Sequence, residues 1–175
     1  MCFDVRAIYS FEENPIWIHA TIFTMISYFT DGSASPNPGP GGFAVIKNGA
    51  PYLIGSEPEN SEISRANTTN IRMEGLAILA ALTDVNGKEC TITTDSEFWI
   101  NVLTKWAPTW EKNGWQKKGG IKNLDIVRPL FEKYKESQAK LIWTRGHVGT
   151  ELNELADEWA NIARRKKITG TGVVK

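Results

Sequence analysis

ISYFTDGSASPNPGPGGFAVIKNGAPYLIG, residues 26–55, is the stretch whose reading decides the fold. Ile26 to Thr30 alternates as a strand and stops at Asp31. Gly32 to Gly42 reads as loop, because proline and glycine dominate it. Phe43 to Lys47 and Tyr52 to Gly55 are two short strands joined by Asn48-Gly49, the turn pair that accepts the positive φ of a tight hairpin. Downstream, Ser56 to Asn67 is polar, part strand and part loop. Residues 71–84 form a helix, with Ile71, Gly75, Ile78, Leu79 and Leu82 at helical spacing. Cys90 to Thr94 is a strand that ends at Asp95, and a helix follows from Ser96 to about Lys105. Trp106 to Gly120 is irregular. Leu124 to Lys135 is helical, with Pro129 starting or kinking it. Leu141 to Thr144 is the last strand, Glu151 to Arg165 an amphipathic helix, and 168–175 a mobile tail. This order predicts an α/β fold, a mixed sheet covered on both faces. Upstream of Met25, residues 1–24 show no clear period and read as an appendage, with an added edge strand as the alternative.

The 175 residues fit one domain, here 25–167, able to bury a core without a disulfide or metal staple. Apolar residues are 41% and charged residues 23%, normal for a globular chain and against a disordered or fibrous one. Formal net charge is zero, which excludes a protein that coats nucleic acid by sheer positive charge. The zero hides a split. Residues 1–100 carry five Lys/Arg against twelve Asp/Glu, and 101–175 carry fifteen against eight. Such asymmetry hints at an acidic functional patch and a basic contact surface. Two cysteines are too few for a disulfide framework and lack zinc spacing, so a reducing, cytoplasmic compartment is expected. No apolar run reaches a membrane span, and no membrane association is expected.

The acids stand in unusual places. Asp31 and Asp95 each close an apolar strand, and strand ends are where open α/β sheets bind ligands. Glu74 falls in the apolar series of its helix, where a carboxylate is costly unless paired or metal-bound. Asp157 borders the stripe of Leu152, Ala156, Trp159 and Ala163. Each has a plainer reading alone: a turn at Asp31-Gly32, a helix cap at Asp95-Ser96, an ion pair of Glu74 with Arg72 or Arg65, a solvated helix face at Asp157. If the four converge, their repulsion demands divalent cations. Oxygen-only donors favour Mg²⁺ or Mn²⁺ over zinc, and two such ions clamp the attacking and leaving oxygens of a phosphodiester.

The segments FTDGSASPNPGPGG at 29–42, TTNIRMEG at 68–75, TTDSEFWI at 93–100, KWAPTWEKNGW at 105–115, IKNLDI at 121–126 and WTRGHVGTELNELADEWA at 143–160 resemble, in order, the type 1 ribonuclease H family. The resemblance covers about 26–165. It implies a five-stranded mixed sheet of order 3-2-1-4-5 with helices on both faces. The implied activity is endonucleolytic cleavage of the RNA strand of RNA–DNA hybrids, with two Mg²⁺ per site and Mn²⁺ as a substitute. The family's metal-binding acids fall on Asp31, Glu74, Asp95 and Asp157. Its histidine for proton transfer or product release falls on His147, and Asn153 and Glu154 match positions near the metals. In-line attack of water would leave a 3′-hydroxyl and a 5′-phosphate.

The resemblance also assigns substrate contacts. Asn37 and Asn70, with Ser33 nearby, match residues that meet RNA 2′-hydroxyls, though asparagine there also serves turns and caps. Thr69 and Asn123 match a pocket for a DNA phosphate, with Asn67 in place of the usual arginine and Arg65 two positions away. Trp106, Trp110 and Trp115, with Lys112, Lys117, Lys118 and Lys122, match a basic protrusion whose indoles lie along sugars while lysines meet phosphates. The plainer reading of that stretch is an amphipathic segment with a solvated face. Ile71 stands where an amide is usual and Glu97 where a glutamine is usual, which weakens hybrid affinity without touching the metal chemistry. The alternatives are a non-catalytic hybrid-binding module and another nuclease of the same fold. A monomer without an obligate protein partner is expected.

Overall fold

In this computed structural model, the described residues are 25–58, 61, 63–146, 151–168 and 170–174. The expected appendage 1–24 and His147 lie outside them. The chain runs β1 (Ile26–Ala34), β2 (Gly41–Lys47), β3 (Ala50–Gly55), α1 (Asn70–Val85), β4 (Glu89–Thr94), α2 (Glu97–Asn101), α3 (Ala107–Lys112), α4 (Leu124–Glu136), β5 (Gln138–Trp143), α5 (Glu151–Arg165) and β6 (Thr171–Val173). The sheet order is β5-β4-β1-β2-β3-β6. β1, β2 and β3 are antiparallel, whereas β4 and β5 run parallel to β1. The mixed α/β sheet of order 3-2-1-4-5 is therefore present, with a sixth strand added beside β3.

That sixth strand lies in the stretch expected to be a mobile tail. Thr171, Gly172 and Val173 pair antiparallel with Gly55, Ile54 and Leu53. Thr and Val favour extended backbone, and the edge of β3 offers unpaired backbone groups. β1 also departs from expectation, because it continues past Asp31 to Ala34. The reason is its partner: β2 follows it as far as Ala34↔Gly41, while pairing with β4 ends at Thr30↔Thr94. The helix expected to end near Lys105 instead passes through a π-helical turn, Val102–Trp106, into α3, so residues 106–112 of the expected irregular stretch are helical. Pro129 lies inside α4 as its sixth residue, so it does not start the helix, and it has no N–H to donate to the Asp125 carbonyl.

One face of the sheet is covered by α1 and α4, and the other by α5. The main core joins Tyr28, Ile78, Leu82, Ile92, Trp99 and Leu130, all essentially buried. Under α5 the contacts are smaller, Ala160 and Ala163 on Ala44 and Ile54, which lets that helix sit close to the sheet. At the end of the sheet where β1 begins, Asp84 of α1 accepts hydrogen bonds from Tyr28 (2.6 Å), Tyr52 (2.8 Å) and Lys47 (2.7 Å), fixing α1 to three strands.

Candidate active site

Asp31 and Asp95 follow the last parallel pair, Thr30↔Thr94, so they occupy adjacent positions on neighbouring strands, which lie about 5 Å apart. Asp31 is 7% exposed, and its carboxylate accepts the Gly32 N–H at 2.6 Å. Gly32 is required because a Cβ there would come within 2.2 Å of the Glu74 backbone nitrogen. The same close approach of β1 to α1 brings Glu74 to the strand end. Glu74 accepts from Ser96 Oγ at 2.5 Å. Ser96 is also the N-cap of α2, so the expected cap operates beside Asp95. The Asp95 carbonyl accepts the Glu97 N–H (3.0 Å) and the Trp143 indole N–H (3.2 Å). A Cβ on Gly146 would lie 2.7 Å from Asp95 Oδ2, so the chain after β5 closes over that carboxylate. Asp157 reaches the group from α5, where Asn161 Nδ2 donates to its Oδ1 (3.1 Å) and to its carbonyl (3.0 Å).

The electrostatics show these acids acting on one another. Burial, then the charge of Asp95, and further those of Asp157 and Glu74, push the Asp31 carboxyl up to about 8, against the lowering effect of the Gly32 N–H. Glu74 is raised as well, by burial and Asp95, against its bond from Ser96. All donors are carboxylate oxygens, a set that suits hard divalent cations, and the raised Asp31 marks excess negative charge that such a cation would relieve. Among the described residues no three of these side chains close on a single point as a finished coordination cage.

Arg72, one of the two partners that the plainer reading gave Glu74, is engaged elsewhere. Arg72, 2% exposed, donates from Nε and Nη2 to Glu57 (2.7 and 3.0 Å) and from Nη1 and Nη2 to Asp125 (3.0 and 2.7 Å). Thr68 and Ser61 hydroxyls also donate to Glu57. This buried network, which sequence reading missed, locks the starts of α1 and α4 to the loop after β3. It includes Asn123, whose Oδ1 accepts from Arg72 Nη1 at 3.3 Å and whose φ is +56°. Thr69 caps α1 by accepting the Arg72 N–H. Thr69 and Asn123 are thus two members of one frame.

The loop after β1 is lashed to α1. Asn70 Oδ1 accepts the Ala34 N–H at 2.5 Å, Asn37 Oδ1 accepts the Asn70 N–H at 3.3 Å, and Gly39 and Thr68 exchange backbone bonds. Ser33 Oγ donates to Asn161 Oδ1 at 3.0 Å. The two asparagine side chains thus tie the loop and the end of β1 to the first residue of α1, while the cap itself is Thr69. Ile71, placed by its spacing among the core positions of α1, is instead 40% exposed. It lines a cavity of about 640 Å³ with Phe98, Trp106, Trp110, Lys117 and Lys118. Trp106 is 40% exposed, and Lys117 Nζ stands 5.6 Å from the centre of the Trp110 ring. Trp115 turns inward onto Phe131, and Lys112 stays on the surface. Asn153 is buried in the first turn of α5, whereas Glu154 is exposed. Trp143 and Asn161, which also bear on the acids, gave no sequence signal of their own. Asn161 stands one helical turn beyond Asp157, which is the only hint available.

Comparison with known proteins agrees with this geometry. The family model described as RNase H matches residues 24–165. The ribonuclease H of Hahella chejuensis is 34% identical over 150 residues, 84% of this chain and 98% of the relative. The ribonuclease HI of Pseudomonas aeruginosa is 38% identical over 140 residues, covering 76% and 88%. Among solved structures, LC9-RNase H1, a type 1 RNase H with the type 2 active-site motif, superposes with a TM-score of 0.68 at 24% identity over 86% of this chain and 77% of that one, a likeness of fold. A family match across most of the chain, joined to the same fold and four acids at one end of its sheet, means that this chain belongs to the ribonuclease H family of endoribonucleases.

Proposed function

We propose that this protein cuts the RNA strand of RNA–DNA hybrids internally, leaving 3′-hydroxyl and 5′-phosphate ends, with Mg²⁺ as its ion and Mn²⁺ as a substitute. The observation that carries the reading is the group of four carboxylates, two at the ends of neighbouring strands and two on helices, in which burial, with the charges of Asp95, Asp157 and Glu74, pushes the Asp31 carboxyl up to about 8. Asp31 and Asp95, fixed by the sheet, would hold the centre of a two-ion site, with Glu74 and Asp157 each completing one side. When bound, two such ions supply Lewis acidity to the attacking water and to the leaving 3′ oxygen.

The surrounding residues divide the two strands between them. Ser33, Asn37 and Asn70, at the end of β1, in the loop after it and at the start of α1, would meet the 2′-hydroxyls that distinguish the RNA strand. Thr69 and Asn123, braced through Arg72, would hold a phosphate of the DNA strand. The cavity of Ile71, Phe98, Trp106 and Trp110 is mainly apolar, which suits deoxyribose, and Lys117 and Lys118 at its rim would meet phosphates, with Lys112 and Trp115 flanking. His147 is assigned proton transfer or product release. All four acids and the cavity come from one chain, which supports a monomeric working unit of residues 25–167. The unpatterned sequence of 1–24 is the ground for reading it as an appendage, and the two cysteines are the ground for proposing the cytoplasm as the compartment.

The test is incubation of end-labelled RNA–DNA hybrid, RNA duplex and DNA duplex with the protein and Mg²⁺. Cleavage of the hybrid alone, in its RNA strand, is the expected result. DNA cutting would favour another nuclease of this fold, and binding without cutting would favour a hybrid-binding module.

A further inference from the structure

Asp157 differs from the other three acids in how it is held. Asp31 and Asp95 sit at the end of the sheet, and Glu74 lies between β1 and the Ser96 hydroxyl. Asp157 rises from one face of α5, half-buried, and its described hydrogen-bond partner is Asn161, one turn on. We infer that Asn161 is a positioning residue that aims the Asp157 carboxylate at the other three acids and ties it to the end of β1 that carries Ser33. The inference rests on the reading of Asp157 as an ion-holding residue.

Four bonds converge on the Asn161 amide. Its Nδ2 donates to the Asp157 carbonyl at 3.0 Å and to Asp157 Oδ1 at 3.1 Å. Its Oδ1 accepts from Ser33 Oγ at 3.0 Å and from Arg164 Nη2 at 3.1 Å. The chemistry of the partners fixes which way the amide points. A carboxylate only accepts and a guanidinium only donates, so a flipped amide would oppose oxygen to oxygen and N–H to N–H. Both lone pairs of the oxygen are used, one by β1 and one by α5. The amide therefore cannot turn without breaking bonds to two elements, and its N–H₂ stays aimed at Asp157. A residue that supports an ion-holding side chain in this way raises ion affinity by reducing the freedom that side chain loses on coordination.

The side-chain requirement is narrow. Alanine removes all four bonds. Aspartate keeps the acceptor for Ser33 and Arg164 but sets a carboxylate against the carboxylate of Asp157. Leucine keeps the volume and loses every polar contact. Ser33→Ala removes one of the two acceptor-side bonds and leaves the Arg164 bond, so its effect lies in the same direction and is smaller.

The test uses the full chain as wild type, Asn161→Ala, Asn161→Asp, Ser33→Ala and Asp157→Asn. Circular dichroism and the ion-free melting temperature first establish that each variant is folded. The rise in melting temperature on adding Mn²⁺ to the free protein is then measured, followed by the Mg²⁺ dependence of hybrid cleavage. For Asn161→Ala we expect half-maximal ion concentrations in both measurements to rise about tenfold, with KM for hybrid at saturating Mg²⁺ nearly unchanged. Asn161→Asp should differ from alanine in its ion-free melting temperature, which falls further. A merely structural role would lower the melting temperature and leave the ion dependence alone, and that outcome overturns the inference. If Asp157→Asn shifts the ion dependence and Asn161→Ala does not, the positioning role fails while the site stands. If neither shifts it, Asp157 holds no ion and both readings fall together.

Discussion

Replacing Asp31 with asparagine changes two properties at once. It removes the most buried acid of the site, so hybrid cleavage should be lost, and retained cleavage would refute the ion assignment. It also removes a charge that the folded state disfavours. The Asp31 carboxyl is raised from 3.8 to about 8, so its contribution to stability is full below the ordinary carboxylate range and is lost as the pH rises through 8. In chelator at pH 8, Asp31→Asn should therefore melt higher than wild type, by on the order of 1 kcal/mol or more, roughly 2–4 °C for each kcal/mol. At pH 4 the difference should vanish. A scan of melting temperature against pH for the two proteins checks the sign as well as the size.

At the scale of elements, the Arg72 network makes a contrasting prediction. Burial opposes the Arg72 charge, but hydrogen bonds to Glu57 and Asp125 outweigh it and hold the guanidinium protonated. Arg72→Met would strand Glu57, 2% exposed, without its cation and cost about 3–5 kcal/mol in urea unfolding. Arg72 also holds Asp125 below the usual carboxylate range, so that carboxylate's stabilisation is present above that range and fades as acid is added. This pH trend runs opposite to that of Asp31. At the cavity of Ile71 and Trp106, Lys117→Ala with Lys118→Ala should flatten the dependence of hybrid affinity on log salt by about one to two units. Filter binding across a salt series reads it, and an unchanged slope would remove this rim from the contact surface.

Elements and site were legible to different degrees, for physical reasons. Strand alternation, the Asn48-Gly49 turn and the α5 periodicity are local signals, and those elements formed where expected. The extension of β1 past Asp31 depends on its partner β2, which local pattern does not encode. Ile71 has the spacing of a core residue, yet as the second residue of α1 it faces a cavity instead of the core. The Glu57–Arg72–Asp125 network joins residues far apart in sequence, and three polar residues so separated have no periodicity to reveal them. The four acids were legible because carboxylates at strand ends and in an apolar series violate the pattern around them. Asn161 was not, since an asparagine on a partly exposed helix face violates nothing.

For the molecule as a whole, the site sits at one end of β1 and β4, and β6 sits at the far edge of the sheet. Removing residues 171–175 deletes three cross-strand pairs with β3 and should cost about 1–2 kcal/mol of stability. Hybrid cleavage should be kept, because β2 and β3 stand between β6 and the strands that carry the acids, and loss of cleavage in a folded truncation would mean that the edge strand matters to the site. The most direct measurement of the central claim is the pH titration of the Asp31 carboxyl carbon by nuclear magnetic resonance, with and without Mg²⁺. The account predicts a midpoint near 8 in chelator that falls into or below the ordinary carboxylate range when Mg²⁺ is added. An ordinary midpoint near 4 under both conditions would mean that the four acids do not form one site.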